Sequence, residues 1–189
     1  MKKTMKTLIF VIALALTLQA SAQETWPAPD NSPMDMLYYP VDYPILKIRK
    51  QAPETPVIRI IYSRPVKKNR KIFGELVEYG KVWRLGANEA TEINFYKDIK
   101  IGNTKIKKGR YTMYAIPETD KWTIIINRDN DVWGAFAYDK QKDILRTTVK
   151  TQKTEEPVEM FSMLFKKTAS GADLLMAWED TEVVLPISF

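Results

Sequence analysis

Along most of the chain the apolar positions recur every second residue. In Thr91-Glu92-Ile93-Asn94-Phe95-Tyr96, the residues Thr91, Ile93 and Phe95 share one face and Glu92, Asn94 and Tyr96 the other, because side chains alternate across a strand. Val57 to Tyr62 is rich in β-branched residues and is bounded by Pro56 and Pro65, which marks a strand. The same reading covers Arg110 to Ile116, ended by Pro117, and Trp122 to Asn127, with Glu118-Thr119-Asp120 as the turn between them. Ile99-Lys100-Ile101 and Lys105-Ile106 flank Gly102-Asn103-Thr104, a short hairpin signal. Ile45 to Arg49 alternates in part and is read as a further strand. Four more runs follow, Ile144 to Thr151, Val158 to Phe165, Ala172 to Trp178 and Glu182 to Ile187, with Ser170-Gly171 as a turn. Neither face of Val158 to Phe165 is clearly polar, which predicts a central strand. Helix-like spacing occurs only around Lys71 to Tyr79, at Ile72, Phe73, Leu76 and Val77, enough for a short helix or an irregular segment. Many short strands separated by turn residues predict an all-β, antiparallel β-sandwich or jelly-roll-like fold with at most one or two short helices.

The first 44 residues break this pattern. Lys2, Lys3 and Lys6 precede an apolar stretch from Leu8 to Leu18, followed by Gln19-Ala20-Ser21-Ala22. A basic start, a short apolar run and small residues at −3 and −1 form a cleavable export signal, and the run is too short to span a bilayer. Residues 23–44 carry Pro27, Pro29, Pro33, Pro40 and Pro44 among aromatic and apolar residues. Proline removes backbone donors and disfavours helix, so this segment is expected to be an extended arm lying over the domain. The expected organisation is therefore a signal peptide over 1–22, the arm over 23–44 and a single β domain over 45–189. The destination is periplasmic or secreted, and the mature chain contains no membrane-spanning segment.

Removing 22 of 189 residues leaves 167, a size suited to one domain. Losing Lys2, Lys3 and Lys6 takes the formal net charge from +6 to +3, and the remaining cations are interspersed with acids, so nucleic acid is not an expected partner. The chain has no Cys and no His. Disulfides, thiol catalysis, Ser-His-Asp triads, His-ligated zinc and imidazole proton shuttles are thereby excluded. No cofactor and no metal are expected; the acidic stretch Arg128-Asp129-Asn130-Asp131 lacks the glycine and distal glutamate of a calcium loop and reads as a solvated turn.

The segment from Tyr62 to Thr91 is the most distinctive. Tyr62-Ser63-Arg64-Pro65, Arg70-Lys71-Ile72-Phe73-Gly74 and Val82-Trp83-Arg84-Leu85-Gly86-Ala87-Asn88-Glu89-Ala90-Thr91 resemble the signature of a secreted bacterial family of unknown function, the DUF family numbered 2911. The resemblance continues through Lys108 to Pro117, Trp122 to Asn127, Trp133-Gly134, Tyr138-Asp139 and Trp178-Glu179, and covers roughly residues 33–189. Lys108 departs from the Ala or Pro usual there. The resemblance implies an exported β fold and brings no activity, substrate or catalytic residue.

Within this segment Arg64, Arg70, Trp83, Arg84, Asn88 and Glu89 are candidate ligand-binding residues. Guanidinium groups beside aromatic walls suit an anionic small molecule or a glycan. The competing reading is that the arginines bond internal carboxylates and carbonyls and so fix a long crossover. Glu89 and Glu92 are a conceivable carboxylate pair, but three residues apart on a strand they fall on opposite faces. Of the tryptophans, Trp122 and Trp178 lie in strand runs and belong to the core, whereas Trp133, beside Gly134, is the better exposed candidate. Missing nucleophile–base machinery favours a non-catalytic binding or accessory module of the cell envelope. The alternatives are a carboxylate-dependent hydrolase of the glycoside type, and a structural or assembly protein that docks through its aromatic arm. The export reading has a direct check: intact-mass analysis of the protein from its native host is expected to give a chain that starts at Gln23.

Overall fold

The computed structural model describes residues 25–189, so the leader expected over 1–22 lies outside the described residues. The order along the chain is β1 (Met34–Tyr39), α1 (Tyr43–Ile48), β2 (Ile58–Ser63), β3 (Thr91–Phe95), β4 (Ile99–Ile101), β5 (Thr104–Ile106), β6 (Gly109–Pro117), β7 (Lys121–Asn127), β8 (Asp143–Lys167) and β9 (Gly171–Ser188). They form one antiparallel sheet in the order β1-β2-β3-β6-β7-β8-β9-β4-β5. The all-β, sandwich-like class expected from the alternation is what the chain forms.

Two long strands let a single sheet make two layers. β8 pairs with β7 as far as Lys150 and with β9 from Thr151 onward. Its register with β9 breaks between Lys153 and Val158 and again between Val158 and Ser162, where Pro157 can supply no ladder donor. Opposite the break, Glu179 of β9 has φ 57°. Such irregularities bend a strand and let it turn a corner between layers. The four C-terminal runs of the sequence are thus two continuous strands.

The far end of the sheet is drawn over β8 and β9 by side chains. The Tyr62 hydroxyl accepts the Met163 N–H at 3.0 Å, and Tyr39 donates to the Gly171 carbonyl at 3.2 Å. On β8, Phe161, Met163 and Phe165 point inward while Leu164 is exposed. Val158 to Phe165 is therefore flanked by β9 on one side only. Its other side is covered by the chain after β2, through a bridge between Val66 and Met160 and a bond from the Phe161 N–H to the Pro65 carbonyl.

One local expectation is corrected and two are narrowed. Tyr43–Ile48, within the run read as strand, is the one α-helix among the described residues. Pro44 sits in its first turn with its φ already suited to a helix, and the buried Tyr43 donates to the carbonyls of Pro53 and Glu54. Lys71 to Tyr79 is irregular, not helical. Gly74 has φ 92° and its N–H meets the Val77 carbonyl, so a tight loop rather than a helix turns Ile72, Phe73 and Val77 inward. Finally, Met34–Tyr39 of the proline-rich segment is a full edge strand, registered on β2 from Met34 opposite Ser63 to Tyr39 opposite Ile58. The alternation in β3 and the hairpin at Gly102 and Asn103 are as expected.

The core between the layers centres on aromatic residues. Trp83, Trp122 and Trp178 are buried with Phe73 and Phe161. Trp83 stacks on Trp178 at 6.0 Å and meets Trp122 edge-on at 5.7 Å. Trp83 and Phe73 belong to the connection over 64–90, which leaves β2, crosses to β8 and returns to the sheet where Trp83 bridges Ala115. A 27-residue gap between neighbouring strands is in this way part of the core.

The loop between β7 and β8 is stapled at its base. Asn127 donates to the Asp139 carbonyl at 3.0 Å and to Asp143 at 2.8 Å. Asp143 also accepts from Tyr138 and, at 2.8 Å, from Arg146. The ring of Tyr138 packs edge-on against buried Tyr114 at 5.2 Å. Burial, helped by the field of nearby carboxylates, pushes Tyr114 up to about 12, and burial together with the bond to Asp143 pushes Tyr138 up to about 12.

Two outcomes follow from this packing. Tyr62→Phe strands the buried Met163 N–H, and chemical denaturation of the protein is expected to show a loss of about 1–3 kcal/mol. The tyrosines of the unfolded chain ionise near pH 10, whereas Tyr114 and Tyr138 keep their protons to about 12. Their contribution to stability is fully present below pH 10 and is lost as the pH rises toward 12. Absorbance titration near 295 nm is expected to show at least two tyrosines, Tyr114 and Tyr138 among them, ionising late, in step with loss of the near-UV circular dichroism.

Candidate functional site

The six residues singled out in the sequence go to different places. Arg64 is a clip within the fold. Its Nε donates to the Phe161 carbonyl at 3.2 Å, one terminal nitrogen to Asp35 at 3.0 Å and the other to Ser162 at 2.8 Å. Arg70 turns back onto the carbonyls of Val66 and Lys67. Both follow the structural reading of these arginines, and neither is drawn toward the others. Trp83 is buried, with its indole N–H donating to the Gly86 carbonyl at 3.1 Å.

Arg84 is different. It lines an open cleft of about 250 Å³ together with Glu78, Lys81, Val82 and Phe136. Its Nε is buried and has no hydrogen-bond partner. Among the described residues no carboxylate lies within 4.0 Å of its guanidinium. Burial lowers its pKa from the ordinary arginine value. A guanidinium partly withdrawn from water without a counter-ion costs free energy, and an incoming anion recovers part of it through charge-assisted hydrogen bonds.

The local chain holds Arg84 in this position by an unusual backbone. Leu85 is fully buried with φ 56°, and Asn88 has φ 56°. Asparagine adopts this conformation readily, whereas leucine does so at a cost of about 1–2 kcal/mol. Tertiary contacts hold it there. The Thr91 hydroxyl donates to the Leu85 carbonyl at 2.6 Å and the Thr91 N–H to the Arg84 carbonyl at 3.1 Å. A Cβ at Gly86 would lie 2.9 Å from the Ser63 carbonyl oxygen, so only glycine allows the loop to press on β2. Strain of this kind tends to gather at binding sites.

Beside this cleft stands an exposed aromatic pair. Trp133 and Phe136 are stacked at 5.7 Å with 20° between their planes, and they are 62% and 81% exposed. The pair depends on Gly134, which has φ 71°; a Cβ there would come within 2.6 Å of the Phe136 ring. Asn88 and Glu89 hold this loop through their backbones. The Asn88 carbonyl accepts the Gly134 N–H at 2.8 Å, and Glu89 bridges Trp133. Phe136 faces the Arg84 cleft, and Trp133 lines a second hollow with Asp30, Ser32, Asn88 and Glu89. There the Asn88 side chain donates to Asp30 at 2.9 Å.

Glu89 and Glu92 line a common cleft of about 150 Å³, against the expectation that they face apart. Glu89 precedes β3, and the left-handed Asn88 turns the chain just before it. Glu92 is committed elsewhere. One oxygen accepts from Arg59 at 3.3 Å and the other from Arg110 at 3.2 Å, while Arg110 also grips Asp131 through two nitrogens. Among the described residues no group of three Asp or Glu is placed to hold a metal ion.

The arrangement can bind an anionic group at Arg84 and a flat apolar face on the aromatic pair. Of its parts, Trp133 is legible in the sequence as an exposed aromatic beside a glycine. Phe136 and Lys81 are not, although the Trp-Gly-Ala-Phe spacing that stacks two rings across a glycine is visible in retrospect.

Neither the curated proteins nor the solved structures contain a match to this chain. A family model does match, over residues 45–187, which takes in the core strands, the crossover carrying Arg84 and the loop carrying Trp133 and Phe136. The chain belongs to the family described as "Protein of unknown function (DUF2911)".

Proposed function

We propose that this is an exported, non-catalytic binding module of the cell envelope, and that its site is the Arg84 cleft with the adjoining Trp133–Phe136 platform. The observation that carries this reading is the guanidinium of Arg84, partly buried and without a partner among the described residues, beside two stacked, solvent-exposed rings. Arginine side chains in folded proteins normally find a carboxylate or carbonyls, as Arg64 and Arg70 do here. Exposed stacked aromatics with few polar neighbours usually mark a contact surface. The ligand class is an anionic small molecule or glycan with an apolar face. The basic, apolar and small-residue segments before Gln23 support export. A hydrolytic reading would rest on Glu89 and Glu92, and the two guanidinium groups already on Glu92 leave it poorly placed for proton transfer to a substrate.

Arg84→Gln removes a charge that has no internal partner. Its thermal stability is expected to stay within about 1 kcal/mol of the parent, because no buried carboxylate is stranded. Thermal-shift measurements with benzoate, inorganic phosphate and acidic oligosaccharides are expected to raise the melting temperature of the parent in at least one case, since a ligand of the native state stabilises it. That shift is expected to vanish in both Arg84→Gln and Phe136→Ala. A shift that persists in both variants would place the binding site elsewhere.

A further inference from the structure

The charges around the platform narrow the ligand further, taking the Arg84 site as the binding site. Arg84 and Lys81 contribute two positive charges to the first cleft and Glu78 one negative charge. The balance matches a monoanion such as a carboxylate. A phosphate dianion, which normally gathers several donors and cations, would meet Glu78 as well. On the other side of the stacked pair the hollow carries Asp30 and Glu89 together with Ser32 and Asn88. Neither acid enters an ion pair among the described residues. Carboxylates, an amide and a hydroxyl accept hydrogen bonds from a polyol, and the two acids repel a second anion.

Shape points the same way. Both hollows are open to solvent, so a ligand seated on them stays partly exposed, as a polymer requires. The rings stand between the hollows, Phe136 bordering one and Trp133 the other. Flat aromatic faces take the C–H face of a pyranose through apolar contact.

We propose that the ligand is a glycan carrying isolated uronic-acid units on an otherwise neutral chain. The carboxylate of one uronic acid sits at Arg84, a sugar ring lies on the Trp133–Phe136 pair, and hydroxyls of a neutral neighbour donate to Asp30 and Glu89. Recognition is a matter of charge spacing: one anion on the Arg84 side and none on the other.

The test is calorimetric titration of the mature chain with three oligosaccharides of equal length: a xylo-oligosaccharide bearing a single glucuronic acid, the same oligosaccharide without it, and an oligogalacturonide charged on every unit. Benzoate serves as a minimal carboxylate with a flat face. The singly acidic probe is expected to bind at least about tenfold more tightly than its neutral counterpart, the effect of one charge-assisted hydrogen-bonded pair. It is also expected to bind more tightly than the fully charged probe. Asp30→Asn with Glu89→Gln is expected to raise the affinity of the fully charged probe toward that of the singly acidic one. Gly134→Ala, which forces the Phe136 ring off its neighbour, is expected to weaken all three oligosaccharides, with circular dichroism showing the fold retained.

Equal binding of the neutral and singly acidic probes overturns carboxylate recognition. Tighter binding of the fully charged probe by the parent overturns the role of the acidic hollow. Binding of benzoate at Arg84 with none of the oligosaccharides overturns the glycan and leaves the anion-binding module standing. Silence with all four probes overturns both.

Discussion

The fold depends on one indole. Trp83 lies between the two layers, stacked on Trp178 and edge-on to Trp122, with its only polar atom satisfied by the Gly86 carbonyl three residues on. That single placement couples the core to the surface. Burying the ring removes a large apolar area from water, and the bond to Gly86 shapes the turn that presents Arg84 outward. The left-handed backbone at Leu85 is tolerated because its neighbours are held on both sides by Trp83 and Thr91. With no cysteine in the chain, this packing does the work that a disulfide does in many small domains.

Two kinds of arginine make the same point from the surface. Arg64 engages all three of its side-chain nitrogens inside the protein, joining β1, β2 and β8, while Arg84, in the same crossover, engages none with the described residues. A folded domain has little reason to keep the second kind for stability, since an apolar residue of similar size would avoid the desolvation cost. The contrast between them, more than the presence of either, is what directs attention to the cleft beside Phe136.

What could be read in advance was whatever a period of two determines. β3 shows its faces plainly because Ile93 is buried and Glu92 and Asn94 are not. The short hairpin at Gly102 and the buried indoles of Trp122 and Trp178 are equally local in origin. Ile45 to Ile48 misled because Pro44 can start a helix as well as end a strand, and a tertiary anchor at Tyr43 decided between them. The runs on either side of Pro157 looked like separate strands because a bulge and a turn share the same residues. The candidate site was only partly visible for a related reason. Chemical density in residues 64–89 located the crossover, but whether a guanidinium finds a partner depends on residues far away, such as Asp35 and Ser162 for Arg64. No spacing rule carries that information. Phe136 matters only because Gly134 lets it fold back onto Trp133.

The crossover between β2 and β3 also sets how the chain must assemble. Trp83 and Trp178 touch across nearly a hundred positions, and Arg64 reaches Phe161 across a similar span. Neither contact can form until the last two strands exist, and neither half of the core is dry without the other. Chains whose native contacts are this distant search slowly, because the entropy of closing long loops is lost before burial compensates for it. The same wedge that makes the finished molecule firm therefore leaves its tryptophans wet for most of the folding reaction, a window in which the unpaired edges of β8 and β9 are open to other chains.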